Sequence, residues 1–341
     1  MNKEQIIDFL LENASPNIKY RVKRDILKES IDSVEMQNLQ EKILDLPKIK
    51  KTFATQKANG FLGDVVHGAY FSGFDTNVYY LKLNGVENSN PNMQKAKQAL
   101  LNWKDNEDEY DFHGGKAMDE HGRGGIKAII AELMLTLGCD ESTPHIQEQI
   151  NIALAAFRGA LNHNNIDDFT KECSFKGEKV RYYIKNTAFP AGNHLSILNR
   201  TSSWKTDENL LMFENSYNHC KNLMKDYQGG CIYINCGHLV GPFNINWRER
   251  KEIKSIDEFK DYPIDFAWWM RSLQNAQKGC PVDQALKDWI FKDDIIAITP
   301  DVYLKKHTYL WAIEPSWRKI ESKLCDLYFP AVLTLSNAEM L

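Results

Sequence analysis

The hydrophobic positions near the start of the chain repeat with the period of an α-helix. Residues 3–13 place four aliphatic side chains on one face, namely Ile6, Ile7, Leu10 and Leu11, and this pattern predicts an amphipathic helix. Ser15 before Pro16 is typical of a helix start, with serine as the cap and proline at the first position. A charged helix is predicted from about Val34 to Thr55.

Further along, an apolar helix followed by an amphipathic helix recurs. Gly85 ends one apolar helix and Pro91 begins the next helix, and Gly138 and Pro144 repeat this pair 53 residues later. A fixed offset of this kind predicts a repeat of helical hairpins, each burying a face against its neighbours. Weaker copies of the hairpin run from His194 to Lys225, from Asp265 to Phe291 and from His307 to Tyr328.

The two helices of each hairpin differ in how apolar they are. The segment from Ile126 to Leu137 is apolar almost all round, whereas the segment after Pro144 is apolar on one side. A helix that is apolar all round is buried, and an amphipathic helix covers it. The sequence therefore predicts an all-α fold with inner and outer helix layers, either an open solenoid or a closed ring. We expect a helical pair over 1–34 that packs on a repeat domain over 35–341.

Composition narrows the classes of partner. Hydrophobic residues make up 43% of the chain and charged residues 26%, with a formal net charge of −4. This balance argues against nucleic acid as the main partner, because phosphate backbones reward clustered Lys and Arg. The N-terminus lacks the pattern of a signal peptide and no apolar run is long enough for a transmembrane segment, so we expect a cytoplasmic protein without a disulfide framework.

One segment carries a family resemblance. Residues 53–63 read FATQKANGFLG and lie between an outer-type and an inner-type helix. They resemble the Gln-x-x-x-Gly-x-Trp punctuation of terpenoid cyclases and protein prenyltransferases, with Gln56 and Gly60 in place and Leu62 where the family prefers Trp. Together with the hairpins, residues 35–330 look like an α/α toroid of that superfamily. The opening from Asn17 to Leu27 is similar to the start of many uncharacterised bacterial members.

The known chemistry of this superfamily does not accompany the resemblance. The sequence contains neither the Asp-x-Asp-Asp motif of the cyclases nor the zinc-binding Asp-x-Cys of the prenyltransferases. The Cys-His dipeptide of the toroidal lanthionine cyclases is also missing. The sequence therefore leaves the cofactor and any metal unknown.

Chemically versatile residues concentrate in the segments before the predicted inner helices. In a toroid these loops converge at one end of a central cavity, towards which inner-helix N-termini direct partial positive charge. We therefore predict acid–base or ligating groups from a first set, which comprises His67, Asp75, His113, Asp119, His121 and His194. A second set is predicted to bind substrate, and it comprises Arg123, Trp204, Cys236, His238, Trp247, Trp268 and His307.

Several alternatives stay open for these residues. The glycine-rich loop from Asp111 to Gly125 is suited to a metal, to acid–base chemistry or simply to a flexible surface turn. Cys236 and His238 are either a nucleophile and its base or small buried side chains. The tryptophans either line a ligand cavity or fill a core.

Three functions are compatible with these features. The first is an enzyme or binder that acts on an apolar or amphipathic small-molecule ligand in a toroid cavity, of the lyase, cyclase or transferase kind. The second is a noncatalytic helical-repeat scaffold for a peptide or protein. The third is cysteine-dependent acyl or peptide chemistry through Cys236, and carbohydrate cleavage by paired carboxylates ranks below it. The oligomeric state is not indicated by the sequence.

Overall fold

The structure is a computed structural model, which describes residues 3–103, 115–227, 232–234, 245 and 312–337. It is mostly helical, as predicted. In chain order the helices are α1 (Lys3–Asn13), α2 (Pro16–Arg21), α3 (Val34–Leu44), α4 (Pro47–Phe53), α5 (Phe74–Leu83), α6 (Pro91–Leu101), α7 (Gly115–Glu120), α8 (Ile126–Thr136), α9 (Pro144–Ala160), α10 (Gly192–Arg200), α11 (Asp207–Met224) and α12 (Ile320–Asn337). Within these described residues, no helix has both the length and the apolar character needed to cross a membrane.

The chain divides into two compact units. The first unit comprises Met1–Thr55, Tyr79–Asn90 and Arg250–Leu341, and the second comprises Gln56–Val78 and Pro91–Glu249. The predicted hairpin from Asp265 to Phe291 lies outside the described residues. The arrangement of the hairpins into a toroid stays a prediction.

In the first unit, α1 packs against α12 and α2 packs against α3. The apolar stripe predicted for α1 is buried at Ile6 and Leu10, and the Phe9 ring meets the Tyr328 ring edge-on at 5.8 Å between centroids. The charged segment predicted as one helix is two helices, because α3 ends at Leu44 and Pro47 begins α4. Proline has no N–H to donate to the preceding turn, so it starts a helix and does not continue one.

A polar network joins α2 to the segment after α5 within the first unit. The Arg21 side chain, almost fully buried, pairs with Asp25 at 2.7 Å and donates to the Leu83 carbonyl at 3.1 Å. Glu87 accepts from the Tyr20 hydroxyl at 2.7 Å and forms an ion pair with Arg24. A buried guanidinium is tolerated only when its donors are satisfied, and Asp25 and Leu83 supply acceptors for it.

The two turns that are 53 residues apart are alike in their hydrogen bonds. After α5, the Val86 N–H donates to the Leu81 carbonyl, and after α8 the Cys139 N–H donates to the Met134 carbonyl. Gly85 and Gly138 both have positive φ angles, +82° and +75°, which side chains other than glycine rarely adopt. Each turn then leads into a helix whose first residue is proline. The repeat predicted from the sequence is therefore confirmed at these two turns.

In the second unit, α9 lies against α8, α10 and α11. The predicted difference between the helices of this hairpin is confirmed, because α8 is buried at most positions whereas α9 is buried along one face. Each buried aliphatic side chain contributes roughly 1.5–3 kcal/mol. This packing fixes the N-terminal end of α8, where several candidate residues lie.

A small sheet departs from the all-α prediction. Strands β1 (Thr170–Phe175) and β2 (Glu178–Tyr183) form an antiparallel hairpin, and β3 (Ile232–Tyr233) runs parallel to β2. The two-residue turn is Lys176–Gly177, and both residues have positive φ, which matches the right-handed twist of the strands. Cys173 on β1 is disulfide-bonded, whereas Cys139, Cys220 and Cys325 are free thiols.

Candidate functional site

The loop before α5 brings His67 and Asp75 into direct contact. The distance between His67 Nδ1 and Asp75 Oδ2 is 2.6 Å. The Asp75 side chain is 9% exposed and the His67 side chain is 40% exposed. The sequence predicted both residues as acid–base groups, and the structure places them together with the histidine towards solvent and the carboxylate beneath it.

Backbone hydrogen bonds hold this loop closed. The Phe74 N–H donates to the Val65 carbonyl at 2.8 Å and the Asp75 N–H donates to the Val66 carbonyl at 3.1 Å. A side chain at Gly73 would place its Cβ 2.5 Å from the Gly68 nitrogen, so this close approach requires glycine. Asp75 Oδ1 accepts from the Thr76 N–H at 2.7 Å, which fixes the carboxylate. The geometry of the pair is thus set by the backbone.

The pairing determines which nitrogen of His67 carries a proton. Since the carboxylate of Asp75 accepts hydrogen bonds, Nδ1 of His67 is the donor and Nε2 is the basic nitrogen of the neutral ring. A carboxylate behind a histidine orients the ring and stabilises the imidazolium that forms when Nε2 takes a proton. This arrangement is chemically competent for general acid–base catalysis.

Arg123 is fully buried in the second unit. One Nη atom donates to the Phe189 carbonyl, and the other donates to the Thr187 carbonyl at 3.4 Å. The guanidinium carbon lies 3.6 Å from the centroid of the Tyr183 ring, a stacked cation–π contact. Burial lowers the pKa of Arg123 to about 10, so the side chain is still charged at neutral pH.

His194, near the start of α10, is also fully buried. Its Nδ1 accepts a hydrogen bond from the Ala191 N–H at 3.2 Å, which leaves the proton on Nε2. Burial, and after it the charge of Arg123, lower the pKa of His194 to about 3. The ring is therefore neutral at physiological pH and presents an N–H donor at Nε2.

Asp119 and His121 are held by nearby backbone. Asp119 Oδ1 accepts from the Gly125 N–H at 2.9 Å and Oδ2 accepts from the Lys127 N–H at 3.3 Å, at the N-terminus of α8. A carboxylate there satisfies N–H groups that have no partner inside the helix. Burial raises the pKa of Asp119, and these N–H groups oppose that rise. His121 Nδ1 lies 2.7 Å from the Ala117 carbonyl oxygen.

Trp204 is the one predicted tryptophan whose contacts are described. It is 6% exposed, its indole N–H donates to the Leu198 carbonyl at 2.9 Å, and its ring lies 5.6 Å from that of Phe213. These contacts are those of a core side chain. The remaining predicted site residues lie outside the described residues, and they are His113, Cys236, His238, Trp247, Trp268 and His307.

No protein-family model, curated protein or solved structure matches the chain. The resemblance to terpenoid cyclases and prenyltransferases stays a prediction.

Four of the predicted residues form two described pairs, His67 with Asp75 and Arg123 with His194. The other described ones bond to backbone groups, and they are Asp119, His121 and Trp204. Among the described residues, no group of three or more His, Cys, Asp or Glu side chains is arranged to hold a metal ion.

Two buried carboxyl groups of the first unit were missed by reasoning from the sequence. Asp326 on α12 accepts from the backbone N–H groups of Ile313 and Glu314, at 2.8 and 3.0 Å, and from the indole N–H of Trp317. Glu314 accepts from the Ser15 N–H at 2.8 Å. Nothing in the sequence distinguishes Asp326 from an exposed acid of an amphipathic helix, because two of its partners are backbone groups and the third is the Trp317 indole in the segment before α12.

Proposed function

We propose that the second unit is an enzyme that acts on an apolar or amphipathic small molecule, with His67 as general base and Asp75 as its orienting partner. The observation that carries this proposal is the 2.6 Å contact between a half-exposed histidine and a buried carboxylate. A positioned histidine base accelerates a reaction by roughly 10²–10⁴-fold.

The resemblance of residues 53–63 to the punctuation of terpenoid cyclases and prenyltransferases supports an apolar or amphipathic substrate, because those families act on substrates with an apolar chain. The rings of Phe61 and Phe74 beside the pair are 4.6 Å apart, and both side chains are buried in the core.

The experiment screens the purified chain against amphipathic esters, lactones, epoxides and prenyl phosphates, with products identified by mass spectrometry. For any substrate found, His67→Gln should lower kcat/KM by roughly 10²–10⁴-fold, because glutamine cannot accept a proton. Asp75→Asn should lower kcat more than it changes KM, because it removes the charge that stabilises the imidazolium.

The matched control is His145→Gln. His145 is also partly exposed, and its Nε2 bonds to the Lys127 carbonyl at 2.8 Å. Among the described residues, no carboxylate forms a hydrogen bond with its ring. This variant should keep the wild-type kcat/KM. A substrate turned over equally well by the His67→Gln variant would refute the role of His67.

A noncatalytic scaffold is the second candidate, and the matching turns at Gly85 and Gly138 favour it because repeated hairpins often present a groove to a peptide. Selection of a peptide whose affinity is unchanged by His67→Gln, with no turnover in the screen, would support this alternative. Activity that is lost in Cys236→Ala but kept in His67→Gln would favour the cysteine chemistry.

A further inference from the structure

Among the described residues, four buried N–H donors of the second unit lack acceptors, and two of them are Arg123 Nε and His194 Nε2. The other two are Trp103 Nε1 and Gln149 Nε2. The side chains of Arg123 and His194 are essentially fully buried. Leaving a buried donor unpaired costs roughly 1–3 kcal/mol, and more when the group is charged. A pair of such donors in one place is unusual for a folded chain, where nearly all buried polar groups are paired.

In the described part of the chain, no carboxylate forms an ion pair with Arg123. Its Nη atoms donate to two backbone carbonyls and its guanidinium stacks on the Tyr183 ring. The buried arginine of the first unit, Arg21, has its counter-ion in Asp25 at 2.7 Å. The two buried guanidinium groups therefore differ in whether a described carboxylate lies beside them.

The two donors are neighbours. A Cβ at Gly124 would lie 3.2 Å from His194 Cδ2, the ring carbon bonded to Nε2, so this edge of the ring faces the residue that follows Arg123. Asn193 strengthens the contact, because its side-chain N–H donates to the Gly124 carbonyl at 2.6 Å. The charge of Arg123 acts on the His194 ring. The two side chains therefore belong to one buried cluster.

The chemistry of the donors selects the group. Both atoms present hydrogens, neither can accept, and together they carry one positive charge. Each Nη atom of Arg123 already has a carbonyl acceptor, whereas Arg123 Nε and His194 Nε2 have none among the described residues. Each of these two atoms carries one hydrogen and can donate it to one oxygen. A carboxylate supplies two oxygens and one negative charge. The rings of Tyr183 and Phe189, near the guanidinium, provide apolar contact for the rest of such a molecule.

We propose that Arg123 and His194 hold the carboxylate of an apolar carboxylic acid, with one oxygen on Arg123 Nε and the other on His194 Nε2. The inference rests on the proposed function, since it names the head group of an amphipathic ligand of the second unit. Both donor atoms are closed off from water. The carboxylate therefore reaches them only when neighbouring parts of the chain move, so we expect association to be slower than the roughly 10⁵–10⁷ M⁻¹s⁻¹ typical of open sites.

The test titrates the full chain with octanoate and follows binding by calorimetry and stopped-flow fluorescence. Neutral 1-octanol and inorganic phosphate are titrated in parallel. We expect octanoate to bind saturably and the other two to bind at least about tenfold more weakly, because charge-assisted hydrogen bonds contribute roughly 1.5–3 kcal/mol. Equal binding of 1-octanol, or no saturable binding of octanoate, would overturn the proposal.

Variants locate the site. Arg123→Met and His194→Phe should each weaken octanoate binding by roughly 10- to 100-fold. The controls are His163→Phe and Arg181→Met. Arg181 lies on the same strand as Tyr183 and is paired with Asp167 and Glu172. Unchanged affinity in both site variants would overturn the proposal.

If Arg123→Met does not fold, nitrogen-15 NMR of histidine in the wild-type chain decides. The proposal requires an Nε2–H signal of His194 that shifts on addition of octanoate, and an unshifted signal contradicts it. His145→Gln, at a ring that bonds to the Lys127 carbonyl, should leave octanoate affinity unchanged. If turnover depends on His67 but octanoate does not bind, the carboxylate site is refuted and the proposed function stands. If octanoate binds but no turnover depends on His67, the proposed function is refuted and the carboxylate site stands.

Discussion

In the first unit, the Glu314 backbone N–H donates to Asp326 Oδ1 at 3.0 Å, so the carboxyl group of one buried acid is bonded to the backbone of a second buried acid. Glu314 in turn accepts from the hydroxyl and the N–H of Ser15, at 2.9 and 2.8 Å. The start of α2 is thereby tied to the segment before α12. Burial raises the pKa of both acids, and that of Asp326 rises to about 7.

The raised pKa of Asp326 makes stability depend on pH. Between pH 3.8 and about 7 the folded state keeps a proton on Asp326 that the unfolded chain has lost. The contribution of this group to the free energy of unfolding is therefore present at low pH and is lost as the pH rises through about 7. In Asp326→Asn this part of the pH dependence of the free energy of unfolding should vanish. Denaturant unfolding at a series of pH values measures that dependence. Asp45→Asn, at an exposed acid paired with Lys50, is the control, and identical slopes in wild type and Asp326→Asn would contradict the prediction.

His194 makes the free energy of unfolding depend on pH in the opposite direction. Its pKa is lowered from 6.5 to about 3 in the folded chain, so below pH 6.5 the unfolded state takes up a proton that the folded state does not. Stability from this group is complete above pH 6.5 and is lost as the pH falls towards about 3. His194→Gln should lose stability less steeply on acidification than wild type, whereas His145→Gln should follow wild type. A His194→Gln slope as steep as that of wild type would count against the buried neutral ring.

Glu141 joins two turns of the second unit. Its carboxylate accepts from the Ser203 N–H at 2.8 Å and from the Ser202 N–H at 2.9 Å. Glu141→Ala should lower the free energy of unfolding by roughly 1–2 kcal/mol, because N–H groups bonded to a carboxylate lose a strong acceptor. Glu148→Ala, at an exposed glutamate of the neighbouring α9, should have no measurable effect in the same urea titration. Equal stability of the two variants would show that the contacts of Glu141 contribute nothing.

The turn after α8 depends on the positive φ of Gly138. Gly138→Ala should destabilise the chain by about 1 kcal/mol or more, since alanine is strained in this conformation. Gly138→Asn should be milder, because asparagine adopts positive φ more readily than alanine. Thermal unfolding of the two variants gives the order. Alanine tolerated as well as asparagine would mean that the turn can re-form with negative φ.

Local patterns in the sequence were sufficient for the helical hairpin. The positions of Gly138 and Pro144 follow from turn chemistry, and the burial of α8 follows from its uniform apolarity. The break at Pro47 was missed even though the signal is present, because the periodicity of the charged residues on either side is continuous. The β-hairpin was also missed, although Lys176–Gly177 between runs of Thr, Phe, Val and Tyr is a turn signal.

The contacts of the site residues could be predicted from the sequence only where residues close in the sequence are also close in space. His67 and Asp75 are eight residues apart, and they meet where the loop before α5 leads into the first turn of that helix. Asp119 was expected to do chemistry, and it also bonds the N-terminus of α8. That contact was not foreseen, because the sequence does not reveal which backbone groups lack partners. The state of His194 depends on burial and on Arg123, which is 71 positions away. Protonation is set by this tertiary environment, which composition and spacing do not contain.

Because the turns at Gly85 and Gly138 match, the connections within these two helical hairpins can be exchanged for one another. Each turn closes through backbone hydrogen bonds, and the N–H groups of Asn90 and Thr143 make the same further bond, to the carbonyls of Glu87 and Asp140. Transplanting residues 85–91 into positions 138–144 puts asparagine in place of Glu141 and removes its carboxylate bonds to Ser202 and Ser203. We therefore expect the transplant to keep the fold with a loss of stability close to that of Glu141→Ala, and such joints are where an ancestral gene lengthens by duplication.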